Sequence, residues 1–157
     1  MTQNTTLEQK LQHVKQTLAL AEKYDHAVNV LSYDQETICP IDAMEEQGEV
    51  WAFLNNQSYK LIKDPAFIEA AEYLYEHRSD LEELDRVMAE QLHRNYLQSK
   101  NVTPELQHEF MLTFNRAFVN WSKAREAGDY SLFAPSLKEV ADTNRRMIEL
   151  RGADAAG

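Results

Sequence analysis

A chain of 157 residues is long enough for one domain with a real core, because at that size roughly 68–70% of the unfolded surface is buried on folding. A hydrophobic share of 43% excludes a disordered chain, and only four Gly and four Pro leave few places to turn, so the elements must be long. The formal charge of −10 argues against nucleic acid and anionic membranes as partners, since both are bound by Lys and Arg that displace counterions.

The charge is concentrated in residues 41–90, which hold thirteen acidic and four basic side chains. That stretch reads first as a solvated helical surface. A lone Cys39 cannot form an internal disulfide and has no base beside it in sequence, so it reads as a buried structural thiol. No stretch has the plan of a signal peptide, and no apolar run approaches the roughly 18 residues of a membrane span. The expected address is the cytoplasm.

The first helix is expected to open at Thr5, with Glu8 completing a capping box. Leu7, Leu11, Val14, Leu18, Ala21, Val28 and Leu31 then form one stripe, and nothing breaks the helix before Pro40. Asp42 with Glu45 predicts the next cap, ahead of Met44, Val50, Trp51, Leu54, Leu61 and Ile62. Asp64 and Pro65 restart the chain as cap and first-turn residue. The helix they open carries Phe67, Ala70, Ala71, Leu74 and Tyr75 to about His77.

Ser79 with Glu82 forms a further capping box, followed by a stripe of Leu81, Leu84, Met88, Leu92 and Tyr96. Thr103 and Pro104 begin the fifth helix, whose stripe is Leu106, Phe110, Phe114, Ala117 and Trp121, and Gly128 is placed to end it in a left-handed conformation. The last helix, from about Leu132 or Pro135, uses Leu137, Val140, Met147, Ile148 and Leu150 and stops at Gly152. Residues 152–157 read as a frayed tail. With no period-two segment and no repeat, the expectation is a single all-α domain over residues 1–157, an antiparallel array of about six helices.

Two Glu-x-x-His pairs, Glu90 with His93 and Glu105 with His108, have the spacing used by di-iron bundles, where the ligands project inward. At about 100° per residue all four point away from the stripes of their helices, which weighs against that reading. His108 and Glu109 open like the zinc-protease sequence His-Glu-x-x-His, but Leu112 occupies the second ligand position. None of His13, His26, His77 or His93 has another His four residues away. Adjacent carboxylates such as Glu45 and Glu46, or Glu82 and Glu83, point in different directions and are charge runs. Catalytic and metal-ligating residues are therefore expected to be absent from the chain.

One segment does not read as generic helix: Val30, Leu31, Ser32, Tyr33, Asp34, Gln35, Glu36, Thr37, Ile38, Cys39, Pro40. It resembles the Leu-Ser-Trp-Asp-Gln-Glu-Thr-x-x-Pro motif near the start of the carboxypeptidase Taq family, thermostable zinc metallocarboxypeptidases, with Tyr33 in place of Trp. Residues 121–137, with Trp121, Arg125, Asp129, Phe133 and Pro135, are similar to the same family's Trp-x-x-Ala-Arg-x-x-Asn-Asp-Phe-x-x-Phe-Ala-Pro-x-Leu stretch. The likeness covers residues 5–151. Family members are several times longer, and their zinc helix and third ligand Glu have no counterpart here.

The resemblance implies the N-terminal helical part of a larger α-helical peptidase that removes C-terminal amino acids from peptides, truncated before its zinc motif and inactive alone. This part would roof the substrate groove. Zinc or another divalent metal, and the peptide substrate, are implied for the full-length enzyme only. Asp34 and Glu36 are expected to pin the turn before Pro40, and Tyr33 to pack beneath it, all in structural roles. The alternative is a free-standing helical module that binds a protein or peptide. Phe53, Leu97, Met111 and Phe118 lie off the main stripes, and such second faces would favour a homodimer.

Overall fold

The computed structural model describes the backbone of residues 2–151 and the side chains of residues 6–151. The expected tail and the stop at Gly152 lie outside the described residues. Six α-helices account for most of what is described: α1 (Thr2–Thr37), α2 (Met44–Ile62), α3 (Pro65–Glu76), α4 (Glu83–Ser99), α5 (Pro104–Ala127) and α6 (Ala134–Arg151). Single 3-10 turns precede three of them, at Ile41–Ala43, Arg78–Asp80 and Tyr130–Leu132, and the described residues contain no strand. None of the helices described is long and apolar enough to cross a membrane.

Where a helix start depends on local chemistry alone, the observed cap is the expected one. Asp64 accepts a hydrogen bond from the Ala66 amide at 2.9 Å ahead of Pro65, and Thr103 accepts one from Leu106 at 3.3 Å ahead of Pro104. Gly128 ends α5 with φ +65°, a conformation that suits a residue without a side chain.

Three expected starts are corrected. Helix α1 already begins at Thr2, before Thr5. Asp42 lies inside the Ile41–Ala43 turn, so α2 is preceded by Ala43 with no side-chain cap. Ser79 lies inside the Arg78–Asp80 turn, closed by the Asp80 amide on the His77 carbonyl at 3.0 Å, and the chain is then extended at Leu81 and Glu82. Of the expected α4 stripe, Leu81, Met88 and Leu92 pack on the core, with Ala89 buried beside them, whereas Leu84 in the first turn is 84% exposed. Val50, Trp121, Leu137 and Ile148, also assigned to stripes from sequence, are exposed.

Helix α1 is the common strut. Its 36 residues span about 54 Å at 1.5 Å per residue. Leu7, Val14, Ala21 and Val28, seven apart, form its buried seam. Helix α2 runs back along the second half of α1, as the bonds from Trp51 to Ser32 and from Gln35 to the Met44 carbonyl require. Helix α3 lies on the first half of α1 and α4 on α3, enclosing a core of Leu7, Val14, Phe67, Ala70, Ala71, Leu74 and Ala89. Helix α5 packs on α2, and α6 runs antiparallel to α5, tied by Asn120 to Ser136 at 2.8 Å and Arg146 to Glu109 at 3.1 Å.

Candidate functional site

The end of α1 carries the first family-like segment, and the structure divides its residues between two directions. Asp34 and Gln35 turn inward. The Asp34 carboxylate accepts a hydrogen bond from the Gln47 amide on α2. The Gln35 amide donates to the Met44 carbonyl at 3.2 Å and to Oδ1 of Asn115 on α5 at 3.0 Å. Ser32 donates to the Val28 carbonyl at 3.0 Å and accepts from the Trp51 indole at 2.9 Å. Three helices are thus joined by side-chain hydrogen bonds within one turn of α1.

Tyr33, Glu36, Thr37 and Pro40 lie on the surface. The expectation that Tyr33 packs beneath the turn is corrected: it is 72% exposed, because its neighbours Asp34 and Gln35 take the two positions that face α2 and α5. The turn is held instead by the Asp34 backbone carbonyl, which accepts from the amides of both Ile38 and Cys39 at 3.0 and 2.9 Å. Thr37 donates to the Tyr33 carbonyl. Pro40, fixed at φ −61° with no N–H, then leads into the Ile41–Ala43 turn. Cys39 is half-buried, its thiol held above its usual pKa by burial and by the nearby Asp34 charge, which disfavours the reactive thiolate.

Two residues that sequence reasoning passed over decide the fit. Gly48 is buried in α2, and a Cβ placed on it would meet the Asn115 side chain at 1.8–2.2 Å. Asn115 is itself only 7% exposed. The absent side chain of Gly48 is therefore what lets the Asn115 amide lie between α2 and α5 and accept from Gln35. A lone glycine inside an otherwise helical pattern was the available signal.

The second family-like segment is the joint between α5 and α6. Arg125 lies over the Trp121 ring at 5.4 Å, and Trp121 packs on Phe118 with ring centroids 5.7 Å apart. Asp129 accepts from the Ser131 amide at 2.9 Å, and hydrogen bonding to the Ser131 side chain first, then to that amide, holds its carboxyl below the ordinary range. Phe133 meets Tyr130 edge-on at 6.4 Å, and Pro135 stands exposed in the first turn of α6. The two segments converge through α5. A cleft of about 190 Å³ is lined by Ser32, Gln35, Glu36 and Trp51 on one side and by Phe114, Asn115 and Phe118 on the other.

The histidines examined for metal chemistry are engaged differently from expectation. His93 does not point away from the fold: its Nδ1 lies 2.9 and 3.0 Å from the Glu72 carboxylate, and its ring stacks on Tyr75 at 3.8 Å. His108 is half-buried, with Nδ1 in the interior, whereas Glu105 is exposed. Both corrections follow from packing. Helix α4 turns Met88, Ala89 and Leu92 inward, which brings His93 onto α3, and α5 is covered by α2 as well as by α6. Among the described residues no three His, Cys, Asp or Glu side chains are grouped to hold a metal ion. The donor set does not fit a metal centre.

Comparison with known proteins gives this geometry a family. Residues 13–156 match the family described as carboxypeptidase Taq (M32) metallopeptidase. Carboxypeptidase 1 of Bacillus subtilis is 26% identical over 129 residues, 82% of this chain and 26% of the relative. Thermostable carboxypeptidase 1 of Pyrococcus furiosus is 27% identical over 150 residues, 96% of this chain and 29% of the relative. The crystal structure of BsuCP superposes with a TM-score of 0.81 at 24% identity, over 94% of this chain and 29% of that one. The chain spans between a quarter and a third of the length of the proteins it matches. It belongs to the carboxypeptidase Taq family of metallopeptidases.

Proposed function

We propose that this chain is the N-terminal helical part of a metallocarboxypeptidase, a single helical unit that roofs the groove in which a peptide's C-terminal residue is removed. The observation that carries the reading is the family match over residues 13–156, in a chain that spans 26% and 29% of its two relatives. Zinc or another divalent metal, the water it activates and the peptide substrate belong in this proposal to the full-length enzyme. Asp34, Gln35, Trp121, Arg125, Asp129, Phe133 and Pro135 serve as structural residues, locking the helix ends that face the groove. Tyr33, Glu36, Thr37 and Pro40 are structural residues of the same helix ends. The cytoplasm is the proposed location, supported by the use of only one cysteine.

The test is an assay of the isolated chain with zinc or cobalt, on paired peptides with free and blocked C-termini. No metal-dependent release of an amino acid is expected, and robust turnover would overturn the proposal. A second reading, a free-standing interaction module, is favoured by Phe53 and Trp121, which are 55% and 40% exposed. Light scattering separates the two: a stable homodimer or a captured peptide supports the module, and a clean monomer argues against it.

A further inference from the structure

Helix α5 has three apolar faces and covers only two. Asn115 and Val119 are buried on the side that carries α2, and Phe110 and Asn120 contact Arg146 and Ser136 of α6. Phe114, Phe118, Trp121 and Arg125 share a third direction, lying within about 60° of one another at 100° per residue. They form a continuous ridge: Phe118 packs on Trp121, and the Arg125 guanidinium lies over the indole. No described element covers it at Trp121, which stays 40% exposed. At the foot of the ridge is the cleft of about 190 Å³ that Glu36 and Trp51 help to line.

The opposite side of α5 is polar, with Glu109, Arg116 and Lys123 exposed, so the ridge is a distinct apolar face beyond the two its neighbours cover, and such a face reads as a packing surface. Matched relatives supply the missing volume, because this chain covers only 26–29% of their length. Charge narrows the choice further. Glu36 stands exposed at one end of the ridge with no ion pair among the described residues, and Arg125 stands exposed at the other. Eleven residues separate Phe114 from Arg125, about 16 Å along the helix axis and therefore about three turns of a partner.

The geometry points to this ridge and cleft as the seat of an amphipathic helix from the metal-bearing part of the peptidase. That helix presents an apolar stripe to Phe114, Phe118 and Trp121, a Lys or Arg to Glu36 and an Asp or Glu to Arg125. The inference rests on the reading of the chain as the N-terminal part of such an enzyme.

The experiment replaces the matching region of Carboxypeptidase 1 of Bacillus subtilis with this chain, and places Trp121→Asp, Glu36→Lys and a control, Leu84→Asp, in both the chimera and the isolated chain. In the isolated chain Glu36 and Leu84 are exposed, so their substitutions are expected to leave the melting temperature close to that of the unsubstituted chain, and Trp121→Asp to lower it only by the loss of its contacts with Phe118 and Arg125. In the chimera, Trp121→Asp and Glu36→Lys are expected to speed loss of peptidase activity on heating by about tenfold or more, with Leu84→Asp silent. Oxidative labelling of Trp121 gives a readout independent of activity: modified in the isolated chain, protected in the chimera.

Equal labelling in both contexts, or three substitutions alike in the chimera, overturns the inference and leaves the functional reading standing. So does a homodimer of the isolated chain that Trp121→Asp dissolves, since a second copy is then the occupant. A chimera that does not fold, or folds without releasing amino acids, overturns the functional reading itself.

Discussion

Along its first half, α1 buries Leu7 and Val14 against Phe67, Ala70, Ala71 and Leu74, with Ala89 closing the layer from α4. Along its last two turns the same helix meets its neighbours through Ser32, Asp34 and Gln35, each hydrogen-bonded to a side chain on α2 or α5. The apolar end is held by area. It accepts a hydrophobic residue of similar volume at small expense, because contact energy there is non-directional and spread over many atoms. The polar end is held by position. Asn115 accepts from Gln35 only where Gly48 leaves room, so a displacement of one ångström breaks a bond rather than loosening a contact. The segment that resembles the family motif lies at the end held by position.

Four measurements would break or sharpen that contrast. The largest effect is expected from Leu74→Ala, at 0% exposure in the apolar core. It should lower unfolding free energy by about 3 kcal/mol, read as a shift of the urea midpoint at unchanged slope.

Next comes Gly48→Ala. At an exposed helix position the change would stabilise by about 1 kcal/mol, but the clash with Asn115 should reverse the sign and leave a net loss of about 2 kcal/mol. Adding Asn115→Ala should recover at least about 1 kcal/mol of that loss in a double-mutant cycle. Additive losses would mean that the two residues do not touch.

The third concerns Tyr59, whose hydroxyl donates to the Val102 carbonyl at 2.9 Å and whose pKa is pushed up to about 12, chiefly by burial. The folded state then holds the proton more tightly than the unfolded state, which releases it near pH 10. The stabilisation is complete below pH 10 and is lost as pH rises from 10 to 12, on the order of 1–2 kcal/mol after allowance for partial exposure. Tyr59→Phe should flatten this part of the alkaline stability profile relative to the parent. An unchanged slope would remove Tyr59 from the account.

The smallest effect is expected at Leu84, 84% exposed on α4. Leu84→Lys should change stability by no more than about 0.5 kcal/mol. A loss of several times that size would restore the buried stripe expected from sequence.

Leu84 also shows where a sequence stops being legible. The starts at Asp64 and Thr103 and the stop at Gly128 were readable because one residue's own chemistry sets each of them. Ser79 and Asp42 satisfied the same capping rule and were overruled, since 3-10 turns claimed the local amides and moved the helix start by several residues. The rest of the α4 stripe held, with Leu81, Met88 and Leu92 on the core; Leu84 is left uncovered in the first turn, and His93, assigned outside, is reached by Glu72 and Tyr75 of α3. At the site, Asp34 and Gln35 were legible as members of a family motif. Their partners were not, because nothing local to Gln47 or Asn115 announces a bond to α1. Trp121 misled for the opposite reason: its spacing is that of a core residue, yet it stays 40% exposed among the described helices.

The span of the Gln35 to Asn115 bond bears on the order in which the molecule assembles. Helices α1 and α2 join through pairs 9 to 19 residues apart, whereas this bond closes a loop of 80. Loop entropy grows with length, and on a ribosome α5 must also be synthesised and clear the exit tunnel before Asn115 can arrive. Residues 32–40 therefore leave the ribosome early, sit beside α2 with the Asn115 position still empty, and acquire their finished geometry only after three further helices have been made.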